Sequence, residues 1–150
     1  MRRGPLVNTK RWGANWLVVS PPGAVRVDLR RWGANYRDAV REVGDLPAGT
    51  PVVLSAVAPG AIGRCRSFAA DTGIEVEGEY LAFPTASAPA YLVEDAPATV
   101  RVFVKTMLVA PPRGLFAPAI EAVVALLRAL SPWRLIRAVA PGRVVVGRRL

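Results

Sequence analysis

The chain is 150 residues long, with 20 lysines and arginines against 11 carboxylates, no histidine, a net charge of +9 and 52% of its residues in the AVILMFWYC set. So apolar a composition excludes a disordered chain and suits one domain that buries about two-thirds of its unfolded surface. The lack of histidine removes Ser/His and Cys/His pairs, histidine metal sites and the commonest general base.

Cys65 is the lone cysteine, which rules out an intramolecular disulfide and a zinc site built on paired cysteines and points to a reducing cytoplasm. All the cations except Lys10 and Lys105 are arginine, and the excess suits acidic partners. Asn8, Thr9, Lys10 and Arg11 interrupt the start, so no secretion signal is expected. The longest apolar segment, residues 115–130, contains Pro118, Glu121 and Arg128 and is shorter than the roughly 20 residues that cross a bilayer.

Residues 1–15 read as a basic arm and residues 16–150 as a single α/β domain. Residues 16–19 and 24–29 look like short strands around a Ser20-Pro-Pro-Gly23 turn, and the two are expected to pair as a hairpin. Asn35 is placed to cap a helix over residues 36–43 that Gly44 stops. The run at 51–57 is apolar enough for a strand covered on both faces. Residues 60–72 follow as a helix with Ile62, Cys65, Phe68 and Ala69 on one face and Gly73 as the stop.

From Ile74 the carboxylates Glu75, Glu77 and Glu79 alternate with Ile74, Val76 and Gly78, the pattern of a strand with one wet face. Pro84 to Pro89 turns the chain into a partner strand over 90–93. A helical section spans 97–139. Its first helix, over 97–109, takes Asp95 as cap, although the β-branched content there also suits a strand. A second helix covers 115–130, with Phe116, Ile120, Val123, Leu127 and Leu130 on one side and a narrow stripe of Glu121, Ala125 and Arg128 opposite, and Ser131-Pro132 opens a third through Trp133 and Ile136. Three consecutive valines at 144–146 mark a final strand within the sheet.

Catalytic residues cannot be assigned, and no metal site is expected. The glycines of Pro59-Gly60-Ala-Ile-Gly63 open the helix at residue 60, where backbone N–H groups and Arg64 can hold an anion, although a plain strand-to-helix turn explains them as well. The hexapeptide at 11–16, Arg-Trp-Gly-Ala-Asn-Trp, recurs at 31–36 with tyrosine last. Trp12, Arg31 and Trp32 therefore stand either as turn anchors or as contact residues for a partner or for bases. Phe116, Leu127 and Trp133 are the contact candidates of the helical section, whose broad apolar side implies burial, a partner or a membrane surface.

The order of the helix at 36–43, Leu-Pro-Ala-Gly-Thr-Pro-Val-Val-Leu at 46–54, the helix ending Ala-Asp-Thr-Gly at 70–73, and the paired strands through residue 95 resembles the closing half of a class I S-adenosylmethionine-dependent methyltransferase domain. The likeness covers residues 36–95 and implies an incomplete Rossmann-like sheet closed by an antiparallel hairpin. That family's glycine-rich cofactor loop has no counterpart, since Asp28 follows no Gly-x-Gly. No cofactor is therefore expected, and S-adenosylmethionine would bind only if another chain or further upstream residues completed the site.

The expectation that follows is a noncatalytic or degenerate methyltransferase-like domain that binds a partner protein or an anionic small molecule. The alternatives are a small transferase of sugar or secondary-metabolite biosynthesis, and a protein that binds nucleic acid or the surface of an anionic membrane.

Overall fold

The run Pro51-Val-Val-Leu-Ser-Ala-Val57 forms the strand on which the sheet is built, and residues 52–56 of it are buried. The computed structural model describes residues 19–29, 36–86, 89–107, 117–130 and 132–150. Among these the chain runs β1 (Val25–Asp28), α1 (Tyr36–Gly44), β2 (Pro51–Val57), α2 (Ala61–Thr72), β3 (Ile74–Phe83), β4 (Tyr91–Glu94), α3 (Pro97–Thr106), α4 (Ala117–Leu130), α5 (Trp133–Val139) and β5 (Gly142–Arg149). The fold is mixed α/β, with an open five-stranded sheet in the order β1-β2-β5-β3-β4. The chain divides into two compact units, Met1–Leu92 with Ala140–Leu150, and Val93–Val139.

In the first unit β1 pairs parallel with β2, while β5 pairs antiparallel with both β2 and β3. Strands β1, β2 and β3 therefore point the same way. Among the described residues β1 pairs with β2, and the hairpin expected between residues 16–19 and 24–29 rests mostly on residues outside them. A helix between β1 and β2 carries the chain back to a parallel neighbour, as a crossover must. Residues 16–18 lie outside the described residues, and Val19 sits in a turn. The cap expected from Asn35 also falls outside them.

Helices α1 and α2 share one core with the sheet: Ala39 and Val43 from α1 and Cys65, Phe68 and Ala69 from α2 pack on Val27, Val52, Leu54, Ile74 and Val145. The opposite face holds a second cluster of Val53, Ala82, Val144 and Val146. Tyr36 joins the two helices, its ring edge-on to Phe68 at 5.5 Å and its hydroxyl donating to Asp71 Oδ2 at 2.7 Å. Burial, helped by the Asp71 carboxylate, holds that phenol protonated well above its usual range. Gly73 ends α2 at φ +62°, a backbone conformation that only glycine adopts without strain, and its N–H donates back to the carbonyls of the last turn.

Strand β3 departs from simple alternation. A bulge between Val76 and Gly78 shifts its register on β5, so Val76 faces Gly147 but Glu79 faces Val145. One extra residue reverses which face the later side chains occupy. Of the three carboxylates expected on one wet face, Glu79 is thereby turned to the α2 side of the sheet, away from the exposed Glu75 and Glu77.

The second unit contains α3, α4 and α5, and α3 packs against both of the others. Val100, Phe103, Val104 and Ile136 are buried. Pro97 stands in the first turn of α3, where its missing N–H does no harm.

Candidate functional site

Open α/β sheets take ligands beyond the carboxyl ends of their parallel strands. Here those ends belong to β1 and β2, and the turn into α2 lies across them. Gly60 occupies the cap position of α2 at φ +73°. Arg64, one turn into the helix, directs its guanidinium back at the strands. Its Nε donates to Leu29 O at 3.1 Å, Nη1 to Pro59 O at 2.6 Å and Nη2 to Val57 O. A fork of rigid N–H donors suits converging carbonyl oxygens as well as it suits an anion. The structure thus brings Gly60 and Arg64 together and spends Arg64 on the protein's own backbone. Gly63 is exposed, with open space where a side chain would begin.

Beside this turn, under α2, lies a charged cluster. Arg143, the first large residue of β5, is 1% exposed. Its guanidinium pairs with Glu79, which also accepts from Arg66 Nε at 3.1 Å and, at 3.4 Å, from Arg66 Nη2. Burial pushes the Glu79 carboxyl up, but the hydrogen bonds and charges of Arg143 and Arg66 outweigh it and hold the group below the usual carboxylate range. Cys65 sits alongside, fully buried. Burial pushes its thiol up to about 12, although Arg143 and Arg64 pull the other way. The carboxylate is therefore ionised and the thiol protonated near neutral pH, so neither is tuned for proton transfer or nucleophilic attack.

No group of three or more His, Cys, Asp or Glu side chains among the described residues could hold a metal ion. Sequence reasoning missed this cluster because its pairing depends on the bulge. The one available signal was Arg143 itself, a charge leading directly into three valines.

In the helical unit, Asp95 does not cap α3. The cap position falls on Ala96, with no side-chain bond, and Asp95 instead accepts from Trp133 Nε1 at 3.0 Å and lies 2.8 Å from Arg137 Nε. An ion pair and an indole donor, both carried by α5, outcompete a local backbone contact. The Arg137 guanidinium also lies 5.3 Å from the centre of the Trp133 ring, a cation–π distance. Trp133, expected as a contact residue, is half-buried in these interactions, and Leu127 is half-buried as well. Trp12, Arg31, Trp32 and Phe116 lie outside the described residues.

On α4 the exposed apolar side keeps Ile120, Val123 and Leu130 from the side read in the sequence and adds Leu126. Ile120 is 39% exposed, Val123 56%, Leu126 59% and Leu130 66%. At 100° per residue these four fall within roughly 120° of the helix circumference, and Glu121 and Arg128 fall together on the opposite side. No helix among the described residues is long and apolar enough to cross a membrane.

No protein-family model matches the chain, and searches of curated proteins and of solved structures returned no match.

Proposed function

We propose that this chain is a noncatalytic α/β domain, similar in outline to the closing half of a class I methyltransferase, that works by docking the apolar side of its helical unit onto another surface. The observation that carries this reading is the row of exposed aliphatic residues on α4, because soluble domains leave contiguous apolar surface uncovered mainly where something binds. The outline rests on β1, β2 and β3 running in one direction with α1 and α2 between them and an antiparallel strand completing the sheet.

Two features of the sheet's carboxyl edge support the noncatalytic half of the proposal. Arg64 engages the carbonyls of the strand ends, and the cations Arg66 and Arg143 beside it are committed to Glu79. This is an unfavourable setting for the positive sulfonium of S-adenosylmethionine. Titration calorimetry with S-adenosylmethionine is expected to give no heat of binding, and a micromolar dissociation constant would overturn this half. For the binding half, serine at Val123, Leu126 and Leu130 together is expected to leave the thermal unfolding transition within a few degrees of the parent. Loss of cooperative unfolding would place those residues in the core and remove the surface.

A further inference from the structure

We infer that the surface met by α4 is that of an anionic lipid bilayer, on which the helical unit lies with Ile120, Val123, Leu126 and Leu130 immersed and its exposed basic residues drawn to the headgroups. This rests on the binding-surface reading above. Ala119, Ala122 and Ala129 widen the apolar side of α4 to about half the helix circumference, so no charged residue interrupts it. A helix of 14 residues is about 21 Å long, too short to span the hydrocarbon layer and of a length to lie in the interface.

The neighbouring helices add the same combination of side chains. Val102 of α3 and Leu135 and Val139 of α5 are exposed, as are Arg101, Lys105 and Arg134.

Charge disfavours a second copy and favours an anionic surface. The chain carries +9, so a second copy brings repulsion to the contact, whereas an anionic leaflet attracts each basic residue near it by about fivefold in partitioning. The exposed side chains also differ from those of a protein interface. They are aliphatic, and the one tryptophan among the described residues of this unit, Trp133, is engaged with Asp95 and Arg137, whereas protein hot spots centre on aromatic anchors. An aliphatic side on a unit that also exposes Arg101, Lys105 and Arg134 is what an anionic lipid interface accepts.

The test is cosedimentation of the full chain with vesicles of phosphatidylcholine alone and of phosphatidylcholine containing one-third phosphatidylserine. Binding to the anionic vesicles is expected to exceed binding to the neutral ones at least tenfold and to weaken in high salt. It should fall at least tenfold in the variant Val123→Ser/Leu126→Ser/Leu130→Ser, and by a similar factor in Arg101→Gln/Lys105→Gln/Arg134→Gln. A second readout leaves the apolar side largely intact. Leu130→Cys labelled with an environment-sensitive fluorophore is expected to blue-shift on anionic vesicles while Glu121→Cys is not, the buried Cys65 staying unlabelled.

Absence of vesicle binding by the parent, or binding unchanged by the serine variant, overturns the lipid inference. If the serine variant then still unfolds as the parent does, the surface reading stands and the occupant is a protein, whereas collapse of its unfolding transition removes both. Equal blue shifts at residues 121 and 130 also contradict the proposed orientation.

Discussion

Replacing Glu79 by glutamine keeps the size of the side chain and removes its charge from Arg143, which is 1% exposed, while Glu79 itself is 18% exposed at the side chain. Removing one member of a buried ion pair costs roughly 3–5 kcal/mol, because the remaining charge stays desolvated. The partial exposure of Glu79 places the expected cost near the lower end, about 3 kcal/mol. At about 2–4 °C per kcal/mol for a chain of this size, the midpoint should fall by roughly 6–12 °C. Arg66→Gln removes the outer partner, 55% exposed at its side chain, and should cost under about 1 kcal/mol. Glu79→Leu combined with Arg143→Met should recover most of the loss, since apolar pairs replace buried ion pairs at little cost.

The pH dependence follows from the direction of the shift. The folded carboxyl titrates below its unfolded counterpart, near 4.3, so the stabilisation is complete above that value and is lost as the pH falls through the folded pKa. Circular dichroism melts of parent and Glu79→Gln should differ by a constant amount above about pH 5.5 and converge in acid. A Glu79→Gln variant no less stable than Arg66→Gln, or a difference that persists unchanged to pH 2, would refute the reasoning.

Three further outcomes test other parts of the structure. Cys65 should resist a thiol reagent at pH 8 in the native protein and react fully in urea, as its burial and raised thiol pKa require; fast native labelling would contradict that placement. Arg149 donates from Nη2 to Gly44 O at 3.1 Å and from Nη1 to Gly73 O at 3.5 Å, serving the last carbonyls of both α1 and α2. Arg149→Met should therefore cost about 1–2 kcal/mol in urea unfolding, more than an exposed arginine would. A side chain at Gly147 would run into the backbone oxygen of Glu75 and the side chain of Ile74 across the β3–β5 pair, so Gly147→Ala should lose several degrees or fail to fold, whereas Gly63→Ala, facing open space, should be neutral or stabilising.

What the sequence made legible were features fixed by local chemistry. The apolar run of β2, the amphipathic period of α2 and its Gly73 stop needed no knowledge of neighbours, and neither did the proline-led start of α3. Features that depend on distant partners were not legible. That β5, last in the chain, enters the middle of the sheet is set by pairing with strands 60 to 97 residues away, and three valines say only that the strand is buried. The bulge in β3 took Glu79 off the wet face, because alternation read from Ile74 presumes an uninterrupted register. Asp95 looked like a cap because nothing local reveals Trp133 and Arg137. The period of α4 placed Ile120, Val123 and Leu130 on its apolar side, where the structure exposes them, but left out Leu126. Periodicity gives the apolar arc of a helix, but not how far each side chain in it is covered: Leu127 is half-buried between the exposed Val123 and Ile120, while Leu126 is exposed.

The measurement that bears most directly on the proposed role is the unfolding free energy of Val123→Ser/Leu126→Ser/Leu130→Ser set beside that of the core variant Phe68→Ala. Exposed positions within ±0.5 kcal/mol each, with a small loss of helix propensity, give a total of about 1 kcal/mol for the triple variant. Phe68, fully buried, should cost about 3–5 kcal/mol alone. The three substitutions on α4 should cost less together than the single one at Phe68; a greater cost would contradict an uncovered apolar side on α4.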